Sequence, residues 1–415
     1  MTSTAIDTPD LIDRLAGVAA GSTLHALRRT RDKVADSTQG AFDAVFDPAL
    51  PGLTLPERLA VATLAAQLTP SPAWAAYYAD RLRQQDAALA DALQGDAAPD
   101  PAGKPALSKR LRAILTFTQA LIVKPVEAGK PALETLRAAG LDTPSVVTLA
   151  QLIAFLSYQL RVAATVAALG AAGAPAAGDG AASTGDSATT GAASTAGAAS
   201  AASGSAASAA AAAAPRPADG PALHINGYTD RALTWHAWLD VVALEEASEE
   251  QLAVLKEAHP KALTSDYYLL LVHQPAVLRQ RQIAFNAIMY APGGLNRGER
   301  ELAATAVSRV NGCVYCASVH AERFEQLAKR SDVIVDLFTD AAAPKATGRD
   351  RAIVDYATKL TLRPADVGAG DIQALRAAGF DELGILDLSH VIAVFAWANR
   401  LMLNLGAPDP VEPSA

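Results

Sequence analysis

The sequence predicts an all-α protein, two tandem helical bundles joined by a flexible Ala/Gly/Ser linker. Three observations carry this expectation. Apolar residues recur at helical spacing with almost no strand alternation, a central segment collapses into Ala, Gly, Ser and Thr, and the stretches on either side of it repeat one another. The expected division is residues 1–169, a linker over 170–221, and residues 222–415.

The helices are legible from their stops and their apolar stripes. Pro275 suits a first helical turn; Val277, Leu278, Phe285 and Ile288 follow it, and Pro292-Gly293-Gly294 stops the run. Ile353, Ala357 and Leu360 mark a second stripe that ends before Pro364. Leu383, Leu386, Phe395, Met402 and Leu405 belong to a long final helix that Gly406 is expected to close. Ser248 to Gln251 reads as a capping box. The one β-branched run, Val333-Ile334-Val335, is too short to count as a strand against this pattern.

The central segment, "GAASTAGAASAASGSAASAAAAAAP" in part, cannot bury enough side-chain area to offset the entropy of ordering it. A flexible chain of that length has a root-mean-square reach of roughly 40 Å. On either side, "LRAAGLD" at Leu136 recurs as "LRAAGFD" at Leu375, "ADRL" at Ala79 as "AERF" at Ala321, and Arg161 as Arg400. The offset stays near about 240 residues, which points to tandem duplication of one fold.

With 415 residues, 51% of them apolar, the chain has ample core material. Its net charge is −8 and its basic residues are scattered, so nucleic acid is not an expected partner. The polar, acidic start "MTSTAIDTPD" lacks the pattern of a secretory leader, and no stretch was expected to reach the apolar length of a membrane span. The cytoplasm is the expected compartment, without membrane partners.

Both cysteines of the chain lie in "NGCVYCASVHAERF", residues 311–324. Two thiols do not make a disulfide framework for a protein of this size; in a reducing compartment they read as catalytic or metal-binding. Cys313, Cys316 and His320 stand at i, i+3 and i+7, one helical face. Asn311-Gly312 stops the preceding helix and places Cys313 near the amino end of the next, where unpaired N–H groups favour a thiolate. His320 is one turn from Cys316 and can exchange a proton at neutral pH, so Cys316 is expected to be the more acidic thiol. Glu301 would be about 18 Å from Cys313 along one continuous helix, and only a chain reversal at Gly312 could bring it close.

The string Glu301, eleven residues, Cys313-x-x-Cys316, three residues, His320 resembles the signature of alkylhydroperoxidase AhpD-like proteins of the carboxymuconolactone decarboxylase (CMD) superfamily. "SRVNGCVYCASVH" from Ser308 is similar to the peroxidase-related branch, and "FNAIMYAPGGL" and "WANRLMLNLG" extend the resemblance over residues 230–406. The resemblance implies an all-α bundle, oligomeric assembly, Cys316 as the peroxidatic cysteine, Cys313 as its resolving partner, and Glu301 and His320 as a proton relay. It implies a hydroperoxide substrate, an external lipoyl or thioredoxin-type dithiol reductant, and no metal or organic cofactor. Tyr315 departs from the pattern, which has a histidine there; this bears on thiol activation. In the amino-terminal half, Leu59, Ser71, Trp74 and Tyr78 align with Glu301, Cys313, Cys316 and His320, so that half resembles a CMD domain without redox residues. A Cys/Cys/His metal site is the main rival by residue type, although no second Cys/His pair accompanies it. A thiol–disulfide oxidoreductase, a non-redox decarboxylase and a redox-sensing scaffold are the rival functions.

Overall fold

A computed structural model of the chain describes residues 9–93, 107–173 and 221–411. The amino-terminal helices are α1 (Leu11–Ala16), α2 (Thr23–Arg29), α3 (Asp32–Val45), α4 (Leu55–Leu68), α5 (Pro72–Gln85), α6 (Ala87–Leu93), α7 (Lys109–Val123), α8 (Lys130–Ala138) and α9 (Thr143–Ala172). The carboxy-terminal set is α10 (Glu249–Ala258), α11 (Asp266–Leu271), α12 (Pro275–Met289), α13 (Arg297–Val310), α14 (Val314–Ala328), α15 (Asp332–Thr339), α16 (Gly348–Leu362), α17 (Ala369–Ala377) and α18 (Glu382–Asn404). The repeat read from sequence returns as a repeat of elements: the helical order of one half is the order of the other, down to a 3₁₀ turn after α7 (Pro125–Glu127) and after α16 (Pro364–Asp366).

Local signals fix these elements. Thr54 and Glu57 cap α4 reciprocally, as Ser248 and Gln251 cap α10. Asn296 caps α13 by accepting from the Glu299 N–H at 2.9 Å. Val333, Ile334 and Val335 lie within α15, where the apolar face of a helix outweighs β-branching.

Among the described residues, strand structure is confined to two small antiparallel pairs: β1 (His224–Ile225) with β2 (Tyr228–Thr229), and β3 (Trp235–Ala237) with β4 (Gly406–Pro408). Gly406 therefore opens a strand, where α18 has already ended at Asn404, and does not act as a helix cap. The backbone of β3 approaches so closely that a Cβ at Gly406 would overlap the His236 carbonyl and the Trp235 ring. The expected linker lies outside the described residues except at its edges, and its start is corrected, because α9 runs on to Ala172.

The two halves pack through equivalent helices, α9 on α18 and α3 on α12. Trp397 of α18 sits 5.3 Å from Phe155 and 5.6 Å from Tyr158 between ring centroids, and its indole N–H donates to Gln151 Oε1 at 3.1 Å. Polar contacts recur in pairs, as at an interface with two-fold symmetry. Arg31, at the start of α3, donates to Asp387 of α18; the matching Gln274, at the start of α12, donates to Thr148 of α9. Arg161 of α9 reaches the Thr361 carbonyl of α16, and Arg400 of α18 reaches the Ile122 carbonyl of α7. The Arg400 guanidinium thus caps backbone carbonyls of both halves.

Contrary to expectation, α9 and α18 are long and apolar enough to cross a membrane by length and composition. Their apolar windows are 89% and 94% buried inside the protein, because each is wrapped by helices of both halves.

Candidate active site

The site is built at the reversal between α13 and α14, which pack side by side. Asn311 ends α13, Gly312 takes a left-handed φ of 73°, and two hydrogen bonds close the turn: Gly312 N–H to the Arg309 carbonyl and Cys313 N–H to the Ser308 carbonyl at 2.8 Å. This 5→2 and 6→1 pair is a Schellman closure, which needs a residue tolerant of positive φ at 312. The next residue, Cys313, becomes the N-cap of α14 and Cys316 falls in its first turn.

The reversal returns His320 to α13. Its Nδ1 lies 2.5 Å from Glu301 Oε2, so the 18 Å of a straight helix does not apply. Glu301 is fully buried and also accepts from Arg297 Nε at 2.6 Å. Burial alone would raise its pKa, but His320 first and then Arg297 outweigh burial and hold the carboxyl below its ordinary range. Because an ionised carboxylate only accepts, Nδ1 carries a proton and Nε2 is left for proton exchange. Phe395 and the imidazole pack in a T, with centroids 4.5 Å apart and planes at 82°.

Cys313 and Cys316 are 1% and 4% exposed, both as free thiols. They are driven apart in acidity. Cys316 is held below the ordinary thiol range, chiefly because the Cys313 thiol hydrogen-bonds to it; burial opposes this, and the charge of His320, the Asn399 amide and the charge of Arg281 reinforce it. Burial pushes Cys313 well up, and its contact with Cys316 adds to that. Cys316 is the more acidic thiol, as expected, although the neighbouring thiol contributes more than the imidazole does. Tyr315, also at this end of α14, is pushed up to about 12 by burial and stays a neutral phenol at physiological pH.

All four sequence-predicted residues, Glu301, Cys313, Cys316 and His320, are thus brought to one place. Two further residues belong with them. Asn399 of α18 is fully buried, accepts from the Asn311 amide at 3.0 Å and donates to Ser308 Oγ at 3.0 Å, which fixes its amide beside Cys316. Arg281 of α12 is 3% exposed, has no carboxylate partner among the described residues, and lies 5.4–6.0 Å from the ring centroids of Tyr267, Phe285 and Trp397. Among the described residues no cluster of His, Cys, Asp and Glu has the geometry to hold a metal ion.

The aligned positions of the amino-terminal half carry other side chains. Leu59 is buried in α4, Ser71 precedes α5, and Tyr78 donates its hydroxyl to Gln159 Oε1 at 2.5 Å. Trp74, Tyr78 and Phe46 form an aromatic cluster where the other half has sulfur and imidazole.

Residues 275–359, from the start of α12 into α16, match the family model described as the carboxymuconolactone decarboxylase family. The chain carries a domain of that family. The matched segment of this CMD domain includes all four site residues. Two solved structures are similar to the chain. One is an uncharacterized peroxidase-related protein from Silicibacter sp. TM1040, with 25% identity, 40% of this chain and 86% of that chain covered, and a TM-score of 0.34. The other is described as an alkylhydroperoxidase AhpD core, an uncharacterized peroxidase-related protein from Ralstonia eutropha JMP134, with 28% identity, 40% and 87% covered, and a TM-score of 0.36. No curated protein matches the chain.

Proposed function

We propose that the protein is a thiol-dependent peroxidase that reduces hydrogen peroxide or an alkyl hydroperoxide through a Cys313/Cys316 dithiol–disulfide cycle. The observation that carries this reading is the paired acidity of the two thiols, one depressed by the other beside the Glu301–His320 hydrogen bond.

His320 Nε2 takes up the Cys316 thiol proton, the thiolate attacks the distal peroxide oxygen, an S–O bond forms as the O–O bond breaks, and the alkoxide leaves as alcohol with the proton that His320 returns. Cys316 is then a sulfenic acid. The Cys313 thiol attacks its sulfur, the S–S bond forms, and hydroxide departs as water with the Cys313 proton. An external dithiol of lipoyl or thioredoxin type reduces the disulfide by exchange. The raised pKa of Cys313 suits its role, since a neutral thiol waits beside the reacting sulfur and donates to it until the sulfenic acid exists. Burial of both sulfurs favours a small peroxide over a folded protein disulfide as oxidant. The compartment this requires is reducing, in keeping with the cytoplasm, and assembly of tandem chains into homo-oligomers forms part of the same proposal.

The test is steady-state turnover of hydrogen peroxide, tert-butyl hydroperoxide and cumene hydroperoxide, with reduced dihydrolipoamide or thioredoxin as donor. The reading expects peroxide consumption at the expense of the donor. Donor-dependent reduction of small disulfides without peroxide consumption would instead make the protein a thiol–disulfide oxidoreductase.

A further inference from the structure

At the junction of the halves, a cavity of about 370 Å³ is lined by residues of both. Four of the lining residues are basic, Lys124, Arg161, Arg363 and Arg400, and one is acidic, Asp366. The repeat pairs Arg161 with Arg400 and Lys124 with Arg363, so the positive charge is arranged about the pseudo-two-fold relation between the halves.

The inner pair is unusual in its compensation. Arg161 and Arg400 are 4% and 1% exposed, and neither has a carboxylate partner among the described residues. Arg161 donates to the carbonyls of Ser157 and Thr361, while Arg400 donates to those of Leu121, Ala396 and Ile122; Arg161 Nε has no partner among the described residues. Thr361, Leu121 and Ile122 lie in the last turns of α16 and α7, where a helix end supplies only about half a negative charge. Two full positive charges are therefore buried against fractional negative ones, an arrangement that an anion would complete.

The outer pair widens the positive field. Lys124 and Arg363 are 64% and 70% exposed, with Glu127 3.0 Å from Lys124 and Asp366 3.8 Å from Arg363 offsetting part of their charge. The rest of the wall is largely apolar, and includes Ile122 and Val310. A concave apolar chamber with a few convergent charges has the build and the size of a small-molecule site.

We propose that this cavity binds a small organic carboxylate, its charged group turned to the four basic residues and its apolar body against the walls from both halves. The inference does not rest on the dithiol chemistry. Asn311, which holds Asn399 beside Cys316, is part of the same wall, so the ligand would lie directly behind the thiol pair.

The experiment is isothermal titration calorimetry of the full chain with benzoate, with benzamide as the neutral isostere and inorganic phosphate as the anion without an apolar body. The exposed pair is the one to vary, as Lys124→Gln with Arg363→Gln, because Arg161 and Arg400 hold the junction together; a thermal melt confirms that the double variant folds. The expected result is saturable benzoate binding at roughly millimolar affinity or tighter. It should weaken about tenfold or more in the double variant and fall with added salt. Absence of saturable benzoate heat, equal binding of benzamide or phosphate, or unchanged affinity in the double variant would each overturn the proposal.

Discussion

Glu301 and His320, nineteen residues apart on two different helices, meet at 2.5 Å because Gly312 reverses the chain between them. The carboxylate fixes the imidazole tautomer and frees Nε2 for proton exchange at the thiol end of α14. Replacing Glu301 by Gln should lower peroxide reduction by about a hundredfold or more, the usual weight of a general acid–base group. It should also move the alkylation of Cys316 to higher pH, with the helical circular dichroism unchanged. An unaltered alkylation profile in both Glu301→Gln and His320→Ala would reduce the pair to packing.

The largest influence on Cys316 is the Cys313 thiol, and Asn399 is a further one. Cys313→Ala should therefore raise the pH at which Cys316 alkylates, whereas Cys313→Ser, which keeps a hydroxyl donor in place, should raise it less. Asn399→Leu should act in the same direction as Cys313→Ala. Iodoacetamide rates followed against pH measure all three, and identical profiles for Cys313→Ala and Cys313→Ser would show that the hydrogen bond is not what stabilises the thiolate.

What could be read before the fold was known follows from sequence range. Cys313, Cys316 and His320 share one helical face, so their meeting is a matter of period, and the Asn311-Gly312 stop is written in the residues themselves. Glu301 needed the chain reversal and was reached only through resemblance. Asn399 and Arg281 were missed: Asn399 is 88 residues from Asn311, to which it hydrogen-bonds, and a lone Asn or Arg within an apolar helix carries no local sign of its partner. The repeat between halves was legible as words, yet the reciprocal contacts that join the halves, Arg31 to Asp387 and Gln274 to Thr148, use different residue types and so left no repeated word to find.

Asp387 joins the halves and neutralises a second cation. It accepts from Arg31 at 2.7 Å and from the buried Arg300 at 2.8 Å. Asp387→Ala leaves Arg300 buried without its counter-charge, which costs about 3–5 kcal/mol. Urea unfolding should show that loss. Arg31→Ala should cost less, and the double variant should fall short of the sum because both changes break one network.

His390, one turn further along α18, gives stability a pH dependence. Burial is the main cause that lowers its pKa from 6.5 to about 4; the Asp387 carboxylate resists this, and Arg28, Arg31 and Arg300 add to it. Between those two values the unfolded chain holds a proton that the folded chain does not, so acidification from pH 6.5 toward 4 favours unfolding. At 1.36 kcal/mol for each pH unit, the loss contributed by this residue is up to about 3 kcal/mol. His390→Leu should flatten that part of the stability profile. A chemical-denaturation series across this range checks it, and an equally steep acid limb in the variant would place the proton uptake elsewhere.

Which sulfur meets the peroxide decides the mechanism. Mass spectrometry after one equivalent of hydrogen peroxide, with dimedone present and no reductant, reads this directly. The native chain should lose two hydrogens as the Cys313–Cys316 disulfide forms, Cys313→Ser should carry dimedone on Cys316, and Cys316→Ser should carry none. Dimedone on Cys313 in the Cys316→Ser chain, with Cys316 unlabelled in Cys313→Ser, would reverse the two sulfurs, and no oxidation of either thiol would contradict the peroxidase reading itself.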